Sequence, residues 1–424
     1  MTHVWNSLLT TVLFIILEIT NVENVKKKTI QYIKNYNHYD RVIRGISKNR
    51  HTNNVTYASP HSTSIPENEE NIKGYTTANN CGNKMNNPTI MENTYEEALK
   101  IISDKLEVLK VENMENVEHI NTFMGFLKKY FGEMKKYKPC SPQNFLENFL
   151  KYIEAFKKYR YYTFPNVHKY DETLYEWSIE FWSQLIDKKN SKFIGIQNID
   201  KIKNWIQQGH NVIIFSNHHI EADANILKYY FHIHNAQNIS RRIIFIGGHK
   251  IRSDPLSRPF SVSANLLCIY SKKYIENPPH LREEKILFNH KSLNALKNLL
   301  TEGRNIIWLA PSGGRDRKGP DGNIKISPFD PKIIQTFYIF AKRAKVKTHF
   351  IGLALNTYNI CPPPNTVDVD EIEKQRSCSY SPVGLNLGED LFDAYPHIDE
   401  KVIAKYLYTY VNKLYSDITE LVMI

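Results

Sequence analysis

The stretch Ser216-Asn217-His218-His219-Ile220-Glu221-Ala222-Asp223 sets two histidines beside two carboxylates, between an apolar run and a helical one. A neutral imidazole, with a reference pKa of about 6.5, takes up a proton near neutral pH, and a carboxylate on its other nitrogen fixes the tautomer and stabilises the imidazolium. His218 and Asp223 stand five residues apart, about 140° around a helix, so they would not share a helical face. A histidine leaving a strand end and an aspartate entering the next helix can still meet across the turn. Such a pair suits deprotonation of an alcohol as it attacks an acyl carbonyl. The plainer alternative is that Asp223 only caps the helix and the histidines are ordinary surface or core residues. His219 and Glu221 invite a metal, but no third ligand stands at a usable spacing, so none is expected.

A second cluster is Ser312-Gly313-Gly314-Arg315-Asp316-Arg317, directly after NIIWLAP. The glycine pair lets the backbone turn sharply, and Arg315 and Arg317, two apart in an extended segment, can project to one side. Guanidinium groups bind phosphate bidentately, so two of them with a lysine suit a phosphate monoester. A solvated charged loop is the alternative. Lys272, Lys273 and Tyr274 follow LLCIYS and supply the candidate third donor. Ser312 as a nucleophile with His218 and Asp223 is disfavoured, because its context lacks the G-x-S-x-G elbow of hydrolases.

These residues need a frame to bring them together. Short β-branched runs recur at 193–196, 211–215, 242–248, 266–271, 305–311 and 349–355, with helical segments between them. Continuous apolar strands of this kind are buried on both faces, which predicts an α/β domain over 166–424 with a mostly parallel or mixed central sheet flanked by helices. Ligands of such sheets bind beyond the carboxyl ends of the strands, which is where all three clusters stand. Ahead of it, Thr94 and Glu97 form a capping box, and Leu99, Ile102, Leu106 and Leu109 fall on a helical stripe. Val117, Ile120, Met124, Leu127, Phe131 and Met134 make a second stripe. Ser141 and Pro142 open a third, with Phe145, Phe149, Ile153 and Phe156 on one side. A small helical bundle over 94–165 is the expectation.

The chain has 424 residues, a formal charge of +11 and five cysteines, Cys81, Cys140, Cys268, Cys361 and Cys378. An odd number without a Cys-x-x-Cys pair signals neither a zinc site nor a disulfide framework. The basicity is discounted, since Asn, Lys, Ile and Tyr are all enriched as AT-rich codons would enrich them, and no basic recognition motif points to nucleic acid. Leu8–Leu17 is too short to cross a bilayer of about 30 Å but fits a signal h-region. Residues 24–66 then carry eight cations against Asp40 alone, the acid-poor chemistry of a transit segment. Residues 1–66 therefore read as a signal plus transit-type leader and 67–93 as a disordered Asn-rich linker. No other segment is apolar and long enough to serve as a membrane anchor.

SNHHIEAD, then GGHKIRSDPLSRPFSVSANLLCIYSKKY, then IIWLAPSGGRDR and a later ALNTYNICPPP together resemble the soluble plastid-type glycerol-3-phosphate acyltransferases, from about Tyr161 to Gly388. The His-x-x-x-x-Asp pattern alone is shared by all glycerolipid acyltransferases, whereas SDPLSRPFS and APSGGRDR are specific to this branch. The resemblance implies acyl transfer from an acyl-carrier-protein or coenzyme A thioester to the sn-1 hydroxyl of glycerol 3-phosphate, giving lysophosphatidic acid. No cofactor is implied beyond the thioester co-substrate. Carried over, His218 is the general base, Asp223 its partner, and Lys273, Tyr274, Arg315 and Arg317 the phosphate site. Where the family commonly has a histidine, this chain has Tyr274, which can donate a hydrogen bond but brings no charge. A signal followed by a transit segment resembles the leader of proteins sent to an apicoplast-type plastid. Acylation of lysophosphatidic acid at sn-2, and a silent acyl-carrier or lipid-binding protein of the same fold, stay open as alternatives.

Overall fold

A computed structural model describes residues 94–112, 117–158, 166–252, 254, 256–363 and 376–419. The leader and linker expected over 1–93 lie outside the described residues, as does 159–165 at the end of the expected bundle.

Three helices come first, α1 (Tyr95–Glu112), α2 (Val117–Tyr137) and α3 (Pro142–Lys158). The capping box closes α1 as its sequence predicts: the Glu97 amide donates to Thr94 Oγ1 at 3.2 Å, and the Thr94 amide to Glu97 Oε2 at 2.7 Å. On α2 the buried face is turned from the expected stripe, since Phe123, Phe126 and Tyr130 are buried and Met124 and Phe131 only partly so. The aromatics decide that rotation. Phe126 and Tyr130 pack against Phe181 of α4 (Glu172–Ser183), and α3 holds the same helix through a 2.8 Å bond from the Trp177 indole to the Asn148 carbonyl.

From Lys192 the chain alternates strands and helices: β1 (Lys192–Ile194), α5 (Gln197–Gln207), β2 (Asn211–Ser216), α6 (Asp223–Ile233), β3 (Ile243–Gly248), β4 (Asn265–Ile269), α7 (Arg282–Glu302), β5 (Ile306–Leu309), α8 (Pro331–Ala344), β6 (Thr348–Asn356), β7 (Gly384–Asp390) and α9 (Ile403–Thr419). The sheet order is β1-β7-β6-β2-β5-β3-β4. Among the described strands only β6 and β7 pair antiparallel, so the five strands from β6 to β4 run the same way.

Six strands were legible as apolar runs; β7 was not. Its sequence, GLNLGED, breaks the run with glycine, asparagine and acids. The break has a packing cause: a Cβ on Gly388 would lie 2.6 Å from the Tyr410 hydroxyl of α9 and 2.8 Å from the Gly352 carbonyl of β6.

Side-chain alternation along the strands divides the core in two. Val212 and Ile214 face one layer, with Ile243, Phe245, Trp308 and the helices α1 to α6; Ile213 and Phe215 face the other, with Ile307, Leu309 and the helices α7 to α9. Both faces are covered, as continuous apolar strands require. The carboxyl edge of the five parallel strands is left for loops, and there the chemistry-bearing segments gather.

Candidate active site

His218 leaves β2 and Asp223 opens α6. The α6 cap residue Ala222 makes no side-chain cap, and the Asp223 side chain turns back onto the loop before the helix: its Oδ2 accepts from the His219 amide at 2.7 Å and the Ile220 amide at 3.2 Å. The same oxygen is 2.7 Å from His218 Nδ1, and Oδ1 accepts from the Thr357 hydroxyl at the end of β6. Holding the turn and holding the imidazole are thus one arrangement. Burial alone would raise the Asp223 pKa, but the His218 hydrogen bond, with both histidines and Thr357, holds it below the usual range. Asp223 is buried, whereas the His218 side chain is 26% exposed. With Nδ1 committed to the carboxylate, Nε2 is the nitrogen left to take a proton.

The turn is fixed from behind. Asn217 is buried and bonds β6 both ways, donating to the Leu355 carbonyl and accepting from its amide, each at 2.8 Å. His219 faces inward: Nδ1 accepts from the Thr357 amide at 3.2 Å, and Nε2 stands 3.6 Å from Asp316 Oδ2. Burial keeps the His219 pKa low and pushes that of Asp316 up. Asp316 in turn accepts from the Ser327 amide at 2.7 Å.

Asp316 also joins the arginine loop to the histidine, because its amide donates to the His218 carbonyl at 2.6 Å. Arg315 and Arg317 therefore flank a residue in direct contact with His218. They do not simply project side by side. Arg315 pairs with the Glu221 carboxylate, and Arg317 folds along its own chain to donate to the Arg315 carbonyl at 3.0 Å. Burial would raise the Glu221 pKa, but Arg315 and Arg376 bring it below its ordinary value, so Glu221 is an anion between cations.

Lys273 and Tyr274 stand on the short helix Lys272–Ile275 after β4. The Lys273 side chain is outside the described residues. The Tyr274 ring has Lys250 Nζ 5.9 Å from its centroid, and its carbonyl accepts from Lys285 Nζ at 2.7 Å. β4 lies two strands from β5 in the sheet order, about 10 Å at ordinary strand spacing. Nearby His249 has its pKa lowered to about 4 by burial and by Arg252 and Lys285, so the cluster stays neutral at that ring.

Sequence reasoning missed Thr357, Asp316 and Arg376 as parts of the site. Asp316 and Thr357 stood inside motifs already singled out, without a role of their own; Arg376 carries no local signal, for it reaches the site only through the fold. Of the two residues weighed as metal ligands, His219 accepts at Nδ1 from the Thr357 amide with Asp316 3.6 Å from its Nε2, and Glu221 meets two arginines.

Residues 193–358, which span the strands from β1 to β6 with the His218 turn and the Arg315 loop, match the family model described as Acyltransferase. The site thus stands within the residues that match this model. Among known proteins the chain is similar to two chloroplastic glycerol-3-phosphate acyltransferases of Cucurbita moschata, at 38% identity over 209 residues and 40% over 205. These alignments cover 49% and 48% of this chain and 45% of each relative. A chloroplastic glycerol-3-phosphate acyltransferase of Arabidopsis thaliana is 33% identical over 237 residues, 54% of this chain and 50% of that one. The chain spans about half the length of the curated relatives it matches.

Proposed function

We propose that the protein transfers a fatty acyl group from a thioester of acyl carrier protein or coenzyme A to the sn-1 hydroxyl of glycerol 3-phosphate, forming lysophosphatidic acid. The observation that carries this reading is the 2.7 Å His218–Asp223 pair at the carboxyl edge of the sheet, tied through Asp316 to an arginine loop. The relatives' names supply the acceptor.

In the proposed reaction Arg315, Arg317, Lys273 and Tyr274 hold the phosphate and so position the sn-1 hydroxyl. His218 Nε2 takes its proton as the oxygen attacks the thioester carbonyl, while Asp223 stabilises the imidazolium. The carbon–sulfur bond then breaks, and the thiolate leaves with the proton that the imidazolium returns. General-base catalysis of this kind contributes about 10²–10⁴ in rate, and positioning through the phosphate supplies a further share. The proposed location is an apicoplast-type plastid, reached by a two-part leader; the chloroplastic names of the relatives favour a plastid.

Thiol release by the 424-residue chain tests the reading, with acyl carrier protein and coenzyme A thioesters as donors and glycerol 3-phosphate, glycerol or lysophosphatidic acid as acceptors. Turnover confined to glycerol 3-phosphate is expected, and the faster thioester names the donor. Turnover with lysophosphatidic acid instead moves the reaction to sn-2, and none with any acceptor leaves a binding protein.

A further inference from the structure

Glu221 Oε1, which pairs with Arg315, also accepts from Arg376 Nε at 3.1 Å. The Arg376 side chain is 3% exposed, and its other arm donates to Asp254 Oδ2 at 3.2 Å. Asp254 Oδ1 meanwhile caps the turn after β3, accepting from the Leu256 amide at 3.0 Å and the Ser257 amide at 2.9 Å. One guanidinium, arriving from residues late in the chain, therefore ties the loop after β2 to the loop after β3.

Arg315 and Arg376 face two carboxylates, Glu221 and Asp254, so the four charges balance and what the second guanidinium adds is position. We propose that Arg376 is a positioning residue for the phosphate site: bonded to Glu221 Oε1 and Asp254 Oδ2, it fixes the carboxylate that aims Arg315 at the substrate phosphate. This rests on the reading of Arg315 as a phosphate ligand. Arg376 acts through Glu221, and its effect disappears when Glu221 is uncharged.

The test is calorimetric binding of sn-glycerol 3-phosphate to the full chain carrying Arg376→Gln, Glu221→Gln, or both, with steady-state kinetics alongside. Arg376→Gln should weaken binding and raise KM about 10- to 100-fold, the scale of one charge-assisted hydrogen bond. Its kcat should stay within about threefold, since the lost interaction is made equally in ground and transition states. Arg376→Lys should recover part of the affinity. In the Glu221→Gln background the second substitution should change affinity by less than about threefold, the signature of a shared path. Unaltered affinity and KM with only a lower melting temperature would assign Arg376 a merely structural role, and full additivity of the two substitutions would overturn the inference too. Should Arg376→Gln not fold, Arg376→Lys against wild type decides by the same affinity and KM readings, a weaker affinity with kcat kept supporting the inference and no change in either overturning it. A wild-type protein that binds glycerol 3-phosphate without releasing thiol defeats the proposed reaction but leaves this comparison intact; one that binds none defeats the inference.

Discussion

The parallel strands carry a histidine–aspartate pair at each end. At the carboxyl edge His218 Nδ1 meets Asp223, and the ring is partly exposed with Nε2 uncommitted to that bond. At the other end His349 Nδ1, near the start of β6, meets Asp390 at the end of β7. That second ring is buried, the Trp205 indole stacks on it at 3.7 Å, and its Nε2 is 3.0 Å from His210 Nδ1. With His349 neutral, Nδ1 donates to Asp390 and Nε2 accepts from His210 Nδ1. A histidine bonded to a carboxylate is therefore not by itself a catalytic base. What separates the two is the far nitrogen, open to a reactant in one and consumed by a neighbour in the other.

The largest effect expected is on His218. His218→Ala should lower thiol release about 10²–10⁴-fold, with a melting temperature within about 2 °C, because a partly exposed ring carries little of the fold. A comparable fall in His349→Ala would break the comparison.

Asp223→Asn should cut turnover about 100-fold or more by mis-setting the imidazole tautomer. It should also destabilise by about 2 kcal/mol, since an amide cannot accept every hydrogen bond that this carboxylate holds. Its pH dependence follows from the lowered pKa. A depressed carboxyl adds stability that is present above its unfolded value, about 4, and is lost as pH falls through the folded value. Denaturant titrations from pH 7 to pH 3 should show the wild type losing that increment and Asp223→Asn lacking it.

At the far end the effect should be on folding alone. Asp390→Asn should cost about 1–3 kcal/mol in urea unfolding, the usual penalty for a buried partner left unsatisfied, while thiol release per folded molecule stays at the wild-type level. The smallest change concerns His210, whose pKa is lowered by burial and by His349 and Lys347. A depressed imidazole resists protonation in the fold, so its contribution is present above about pH 6.5 and is lost as pH falls. His210→Gln should remove that acid sensitivity, a shift of about 1–2 °C in melting temperature between pH 7 and pH 5.5. An acid sensitivity that survives His210→Gln must come from another group.

Much of this was open to inspection in the residues themselves. The alternation of strands and helices, the capping box on α1 and the placing of three clusters after strands are local patterns, and local periodicity survives into the fold because each element buries one face or two. The meeting of His218 with Asp223 was legible too, since a strand–turn–helix junction brings residues five apart together. Where the pattern was broken, inspection failed: β7 hides behind glycines that serve close packing, and α2 turned to follow aromatic partners on α4.

What the sequence by itself determined is therefore the set of elements and the chemical types at their ends. Only the tertiary structure decided which of two histidine–aspartate pairs stands open, and which arginines share one carboxylate. Thr357 and Arg376 lie 134 residues from Asp223 and 155 from Glu221 along the chain. Their hydrogen bonds exist only once the sheet has set β2 beside β6 and the chain has brought Arg376 to the loop after β2. No local propensity encodes such a distance; the burial of both faces of the sheet does, by leaving one edge where these groups must find one another.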